Sequence, residues 1–251
     1  MKDFNTKLSE FIIGGSGTIP CCGIGTFGLN ENDLLGLFCN YRYSNMLLDT
    51  AAKYNNEKNI AAALQRSAID RKNVFITSKI SSVQQQSMTA RQALSESLEK
   101  LETDYLDLYL IHSPRYDYFV DTWKQFIELK SENLVRHIGV SNFTEQNLQK
   151  LFDHTQKWPE VNQISVNPFV NKETMDMIRF CQDRNILMES AAPFGGAERK
   201  YEWRTLHITR EEYLLYLYKL NIVSIPGTKN YKHLIENFNV FSNKLDFTKC
   251  S

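Results

Sequence analysis

Short apolar runs recur along this chain, and between most of them apolar residues return about every 3.6 positions. The runs fall at residues 22–26, 46–49, 73–77, 106–111, 135–140, 161–165, 186–190 and 222–225. They predict strands, and the stretches between them predict amphipathic helices. In residues 88–101, Ala90, Leu94, Leu98 and Leu101 mark one helical face. In residues 144–152, Thr144 is the expected N-cap and Glu145 puts a negative charge in the first turn, where the helix dipole favours it. Leu148, Leu151 and Phe152 give that helix its apolar face. A third helix is expected to start at Thr209, with Glu212 completing a capping box, and to carry Tyr213, Leu214, Leu217 and Leu220.

Regular alternation of strand and helix implies parallel strands joined by helical crossovers. About eight such units in 251 residues predict one α/β domain over residues 1–251, a (β/α)8 TIM barrel. The segment 11–20 breaks the rhythm. Gly14-Gly15-Ser16-Gly17 lies between Ile12-Ile13 and Ile19, which predicts an N-terminal β-hairpin in front of the barrel.

Composition narrows the partners. Hydrophobic residues make up 42% and charged residues 23%, an ordinary globular mixture. Twenty-nine basic residues balance 29 acidic ones, so charge gives no reason to expect nucleic acid or an anionic membrane. Residues 1–10 hold no apolar core of a signal peptide, and no stretch approaches the roughly 20 apolar residues that span a bilayer. Cys21, Cys22, Cys39, Cys181 and Cys250 show no metal-ligand spacing and read as free thiols. A cytoplasmic monomer without a metal is expected.

Gly23-Ile24-Gly25-Thr26-Phe27-Gly28 spells the G-x-G-x-x-G of dinucleotide-binding sheets, and Asp49 closes the next strand. That reading is set aside. The fingerprint needs a good strand just before its first glycine, and Pro20 interrupts a weak one. A doubly wound sheet would also leave the later polar strand ends unexplained.

In a β/α barrel, chemistry sits at the C-terminal ends of the strands. The second run closes on Asp49, with Tyr54 in the loop beyond. The third leads through Thr77-Ser78 to Lys79, and the fourth to His112. Each has an ordinary reading: a helix cap, a half-buried tyrosine, a loop lysine, a core histidine. Four at successive strand ends favour the chemical one. Reducing a carbonyl needs a hydride on carbon and a proton on oxygen. A phenol is a reluctant acid near neutrality, and a nearby ammonium favours its phenolate. Lys79 can supply that charge, Asp49 can hold Lys79, and His112 can orient the substrate oxygen. Tyr54 is then the proton donor.

Asp49-Thr50-Ala51-Ala52-Lys53-Tyr54-Asn55-Asn56-Glu57 resembles D-T-A-x-x-Y-G-N-E of the aldo-keto reductases. Asn55 replaces the glycine, and asparagine tolerates the left-handed backbone. Residues 106–114 are similar to the family's L-D-L-Y-L-I-H-W-P, with Ser113 in place of tryptophan. Gly139-Val140-Ser141-Asn142-Phe143 matches G-V-S-N-F, and Asn162-Gln163-Ile164 followed by Asn167-Pro168 resembles N-Q-x-x-x-N-P. The likeness runs from the hairpin to about Asn237. It implies a catalytic tetrad of Asp49, Tyr54, Lys79 and His112, with Ser141, Asn142 and Gln163 holding a nicotinamide carboxamide. It further implies cofactor contacts from Gly25, Thr26, Phe27 and Asp49, from Ala191, Pro193, Phe194 and Gly195, and from Pro226, Gly227, Thr228, Lys229, His233, Glu236 and Asn237. Phe27, Tyr54, His112 and Ser113 are expected to face the substrate.

The phosphate side departs from the pattern. The family reads I-P-K-S, a basic residue, then E-N. Here Gly227 replaces the lysine, Thr228 the serine and His233 the arginine. Lys229, Arg199, Lys200 and Arg204 are the candidate substitutes. Ala191 stands where relatives stack an aromatic ring, and Phe194 could serve instead. The chain stops at Ser251, so a more open pocket is expected than in relatives with longer tails. The resulting expectation is direct hydride transfer from NADPH, or from NADH, to an aldehyde or ketone, with no metal and no covalent intermediate. The changes at Ala191, Gly227 and His233 motivate the alternative of a weakly active or inactive cofactor-binding sensor. A Lys79 Schiff base is a third reading.

Overall fold

The computed structural model of the chain describes residues 8–115, 118–196 and 202–242, without the side chains of Glu202 and Arg204. The chain opens with an antiparallel hairpin, β1 (Glu10–Ile13) and β2 (Gly17–Pro20). Its turn uses Gly14 and Gly15 at φ of 59° and 82°, a region only glycine enters freely.

Eight parallel strands follow: β3 (Gly23–Gly25), β4 (Met46–Asp49), β5 (Val74–Ile80), β6 (Leu106–Ile111), β7 (Val135–Ser141), β8 (Val161–Ser165), β9 (Leu187–Ala191) and β10 (Ile222–Ile225). They neighbour one another in strict chain order. The bridges Cys22–Ser224 and Gly25–Gly227 bring β10 back to β3 and nearly close the ring. The expected eight-fold barrel and hairpin are both present. No reversal of strand order exists among the described strands, and such a reversal is what a dinucleotide-binding doubly wound sheet needs. Gly23, the first glycine of the G-x-G-x-x-G run, has another use: a Cβ there would stand 2.6 Å from Leu47 Cγ.

Helices return the chain from each strand to the next. They are α1 (Glu31–Asn40), α2 (Glu57–Ser67), α3 (Ser82–Ser87) with α4 (Ala90–Leu101), α5 (Tyr118–Ser131), α6 (Glu145–Thr155), α7 (Lys172–Gln182), α8 (Arg210–Lys219) and α9 (Tyr231–Asn239). Thr144 caps α6 and Thr209 caps α8, as their sequences predict; Thr89 caps α4, so the stretch 88–101 starts as a helix at Ala90. Leu148, Leu151, Leu214 and Leu217 are buried against the sheet side of their helices. Among the described residues, no helix is long and apolar enough to cross a membrane.

At the N-terminal end of the barrel, Asp107 is buried between two arginines. Its carboxylate accepts from Arg71 and Arg136 at 2.8 Å each and from the backbone N–H of Ile76 at 2.9 Å. Both guanidinium groups also lie over the Tyr105 ring, at 4.0 and 4.1 Å from its centre.

Candidate active site

At the opposite end, β4 and β5 carry Asp49 and Lys79 into the barrel. Lys79 is fully buried. Its ammonium donates to both carboxylate oxygens of Asp49 at 2.7 Å and to the carbonyl of Thr50 at 2.9 Å. A buried charge needs this kind of saturation. Burial alone would depress the lysine, but Asp49 outweighs it and holds the ammonium above the ordinary lysine range.

Tyr54 closes a short 3-10 turn, Ala52–Tyr54, and stands over this pair. The Lys79 ammonium lies 5.3 Å from the Tyr54 ring centre. The loop that places it is stapled. Asn55 takes the left-handed conformation at φ 55°, as a residue in the glycine position must. Thr50 Oγ1 donates to Asn56 Oδ1 at 2.9 Å, Asn56 Nδ2 donates to Thr26 O at 2.7 Å, and Ser78 Oγ donates to Glu57 at 2.7 Å. Thr50, Asn56 and Glu57 of the D-T-A-x-x-Y-x-N-E run thus hold the tyrosine loop in place.

Burial raises the Tyr54 phenol and Lys79 pulls it back; burial prevails, and the phenol stays above the ordinary tyrosine value. Lys79 therefore acts in the expected direction, yet the net result is a firmly protonated phenol and not a depressed one. The His112 ring meets Tyr54 edge to face, with ring centres 5.7 Å apart. Burial, with help from Lys79, pushes the imidazole down to about 4, so it is neutral near pH 7. Its Nδ1 is buried without a hydrogen-bond partner.

Behind this group lies a polar network. Gln163 Nε2 donates to Asp49 at 2.7 Å and to Glu189 at 2.8 Å. Ser141 Oγ donates to Gln163 O at 2.9 Å, and Asn142 Nδ2 donates to His112 O at 3.0 Å. Sequence reasoning missed Glu189. It was one charged residue inside an apolar run, and that isolation was the available signal. Burial, then Asp49, pushes its carboxyl up to about 7.

In front of Tyr54 and Asp49 opens a groove of about 580 Å³, within the ~300–1,000 Å³ range of small-molecule sites. Of the sequence-derived cofactor residues, Gly25, Phe27, Asp49, Ala191, Pro193 and Phe194 line it, as do Pro226, Gly227, Thr228 and Lys229. Trp203 and Arg210 also line it and were not anticipated. The Arg210 guanidinium lies 5.2 Å from the Phe194 ring centre, and Trp203 Nε1 donates to Phe194 O at 2.7 Å. Other expected contacts lie elsewhere. Thr26 is buried and bonds Asp49 O at 2.9 Å. Gly195 turns the chain after β9 at φ 77°. His233 and Glu236 are exposed on α9, Asn237 is buried there, and none of the three is on the groove wall. Ser113 is tied to α3 through a 2.8 Å contact with Ser82. Lys229 is paired with Asp33 at 3.0 Å. Arg199, Lys200 and the Arg204 side chain lie outside the described residues.

Residues 32–212 match the model of the Aldo/keto reductase family. The chain belongs to that family. Methylglyoxal reductase DkgA of Salmonella typhimurium is 32% identical over 240 residues, covering 91% of this chain and 86% of that protein. An aldo/keto reductase from Brucella melitensis superposes with a TM-score of 0.81 at 28% identity over 93% of each chain. An aldo-keto reductase of the silkworm Bombyx mori, solved with NADPH, gives a TM-score of 0.79 at 27% identity, over 96% of this chain and 85% of that one. Family membership implies a nicotinamide cofactor, and the groove suits one. Its lining combines an acid and a phenol, Asp49 and Tyr54, with aromatic rings and the cations Arg210 and Lys229.

Proposed function

We propose that this chain reduces aldehydes or ketones to alcohols at the expense of NADPH, with Tyr54 giving the proton to the carbonyl oxygen. The reaction class comes with the family; the assignment of residues rests on one observation. A fully buried ammonium, Lys79, is held by both oxygens of Asp49 and lies 5.3 Å from the ring centre of Tyr54, the one phenol among the described groove-lining residues. The cofactor, when bound, supplies the hydride. Tyr54 hands its proton to the developing alkoxide, and Lys79 stabilises the phenolate that remains until solvent reprotonates it. Asp49 keeps the ammonium in place. The neutral His112 ring orients the carbonyl. Ser141, Asn142 and Gln163 would hold the nicotinamide carboxamide, and the 226–229 segment with Arg210 would meet the phosphates.

Phe27, exposed beside the Tyr54 ring at 5.0 Å between centres, gives the substrate an aromatic face. The name of the Salmonella relative makes methylglyoxal the first carbonyl to try. The Lys229–Asp33 pair partly neutralises the cation nearest the phosphate end, and this favours NADH as the second cofactor reading. The charge balance supports action on a small molecule, with neither nucleic acid nor an anionic membrane as partner, and we take the chain to be a cytoplasmic monomer.

The test is loss of NADPH absorbance with methylglyoxal or a reactive aromatic aldehyde, for wild type and Tyr54→Phe. The expected loss in the variant is roughly 10²–10⁴-fold in kcat, the usual worth of a positioned acid. Cofactor binding with no turnover on either nucleotide would replace this reading with that of a cofactor-binding sensor.

A further inference from the structure

Glu189 has no part in the chemistry above, yet it sits in the middle of it. In the β8–β9 register it lies opposite Gln163, so both side chains project into the barrel from neighbouring strands. Both are buried, at 0% and 2% exposure. Gln163 Nε2 gives one N–H to Glu189 at 2.8 Å and the other to Asp49 at 2.7 Å.

The Asp49 carboxylate only accepts, and Glu189 offers an acceptor oxygen whether or not its raised carboxyl carries a proton, so the two fix the nitrogen end of the amide between them. No described protein group hydrogen-bonds Gln163 Oε1, so that carbonyl keeps spare accepting capacity; Gln163 is buried behind Asp49, which lines the groove, and is not itself on the groove wall. Asp49 alone would hold the amide at one point, about which its plane could swing. Glu189 adds the second point. Packing gives no reason for an acid here: the flanking Leu187 and Met188 are core residues, and Glu189 Oε1 is buried without a partner. Such a group is costly to bury, which argues for a role beyond the fold.

We propose that Glu189 is a positioning residue: together with Asp49 it clamps the Gln163 amide so that the Gln163 carbonyl selects a ligand that presents a carboxamide N–H. The inference rests on Gln163 being the residue that meets the nicotinamide carboxamide. It assigns Glu189 to cofactor selection, not to proton transfer.

The probes are NADP⁺ and its 3-acetylpyridine analogue, in which a methyl ketone replaces the carboxamide and removes its N–H donors. Quenching of tryptophan fluorescence gives both dissociation constants without turnover, since Trp203 lines the groove. Wild type is expected to favour the carboxamide form about tenfold, the scale of one hydrogen bond. Glu189→Met, similar in volume, should reduce that preference below about threefold. Glu189→Gln, whose own carbonyl can accept the same N–H, should keep it. The proposal is overturned if Glu189→Met retains the full preference, or if Glu189→Gln loses it; the second criterion stands even where Glu189→Met does not fold. Gln163→Met separates the two levels. Loss of preference there but not in Glu189→Met overturns the role of Glu189 alone. No loss in Gln163→Met overturns the Gln163 reading itself.

Discussion

Each end of the barrel buries an aspartate that holds cations, and the two pairs do different work. Asp107, at the N-terminal end, joins Arg71 and Arg136 to each other and to β5. Its partners are guanidiniums, which do not titrate, and both reach solvent, with 22% and 58% of their side chains exposed. Asp49, at the C-terminal end, holds an ammonium that reaches no solvent and lies beneath a phenol. The ion-pair physics is the same at both ends. Both ends set a tyrosine ring against the cations, and what differs is the cation: two partly exposed guanidiniums against Tyr105 at one end, a buried ammonium that can stabilise the Tyr54 phenolate at the other. This is the usual division of a β/α barrel, stability below and chemistry above.

The comparison can be broken by removing each partner in turn. Lys79→Met is expected to act hardest. It leaves Asp49 buried and uncompensated and deprives Tyr54 of its cation, so kcat should fall roughly 10²–10⁴-fold. Steady-state kinetics on folded protein checks this, and a loss under tenfold would remove Lys79 from the chemistry. Asp107→Asn should do the reverse, with about 2–3 kcal/mol of stability lost, discounted for the exposure of the arginines. That corresponds to roughly 4–12 °C in Tm for a domain of this size, with kcat per folded molecule unchanged. A catalytic defect at full stability would erase the contrast. Asp33→Asn should have the smallest effect. It frees Lys229 from a surface pair worth under about 1 kcal/mol, and the ratio of NADH to NADPH dissociation constants should rise about two- to fivefold. An unchanged ratio would mean that Lys229 does not meet the 2′-phosphate, and equal affinities in wild type would remove the preference for NADPH.

Much of this was legible in the sequence. The runs 46–49, 106–111, 161–165 and 222–225 coincide with strands, because predominantly apolar runs suit strands buried on both faces, and in 161–165 the polar Asn162 and Gln163 are buried with hydrogen-bond partners. The third strand was read as ending at Thr77 but extends to Ile80. Ser78 and Lys79 look like a polar strand end, yet the barrel interior satisfies them through Glu57 and Asp49. The clustering of Asp49, Tyr54, Lys79 and His112 was readable because they recur at or just beyond successive strand ends. Trp203, Arg210 and the Asp33–Lys229 pair were not, since they meet the groove or each other only through the closure of distant segments. Glu189 was visible as a misfit in its run, but its partners lie on other strands, and no local pattern names them.

The seam between β3 and β10 carries a mechanical consequence. Every other pair of neighbouring strands in the barrel is registered over three or more residues, whereas this pair is joined by two isolated bridges. Its fastenings are Ser224 N to Cys21 O at 2.9 Å and Gly25 N to Pro226 O at 3.0 Å. The least costly breathing motion of the ring is therefore a parting of its first and last strands. Gly25, Pro226 and Gly227 also line the groove. A nucleotide bound along these residues would act as a clasp across the join, and loosening the barrel would then go with releasing it.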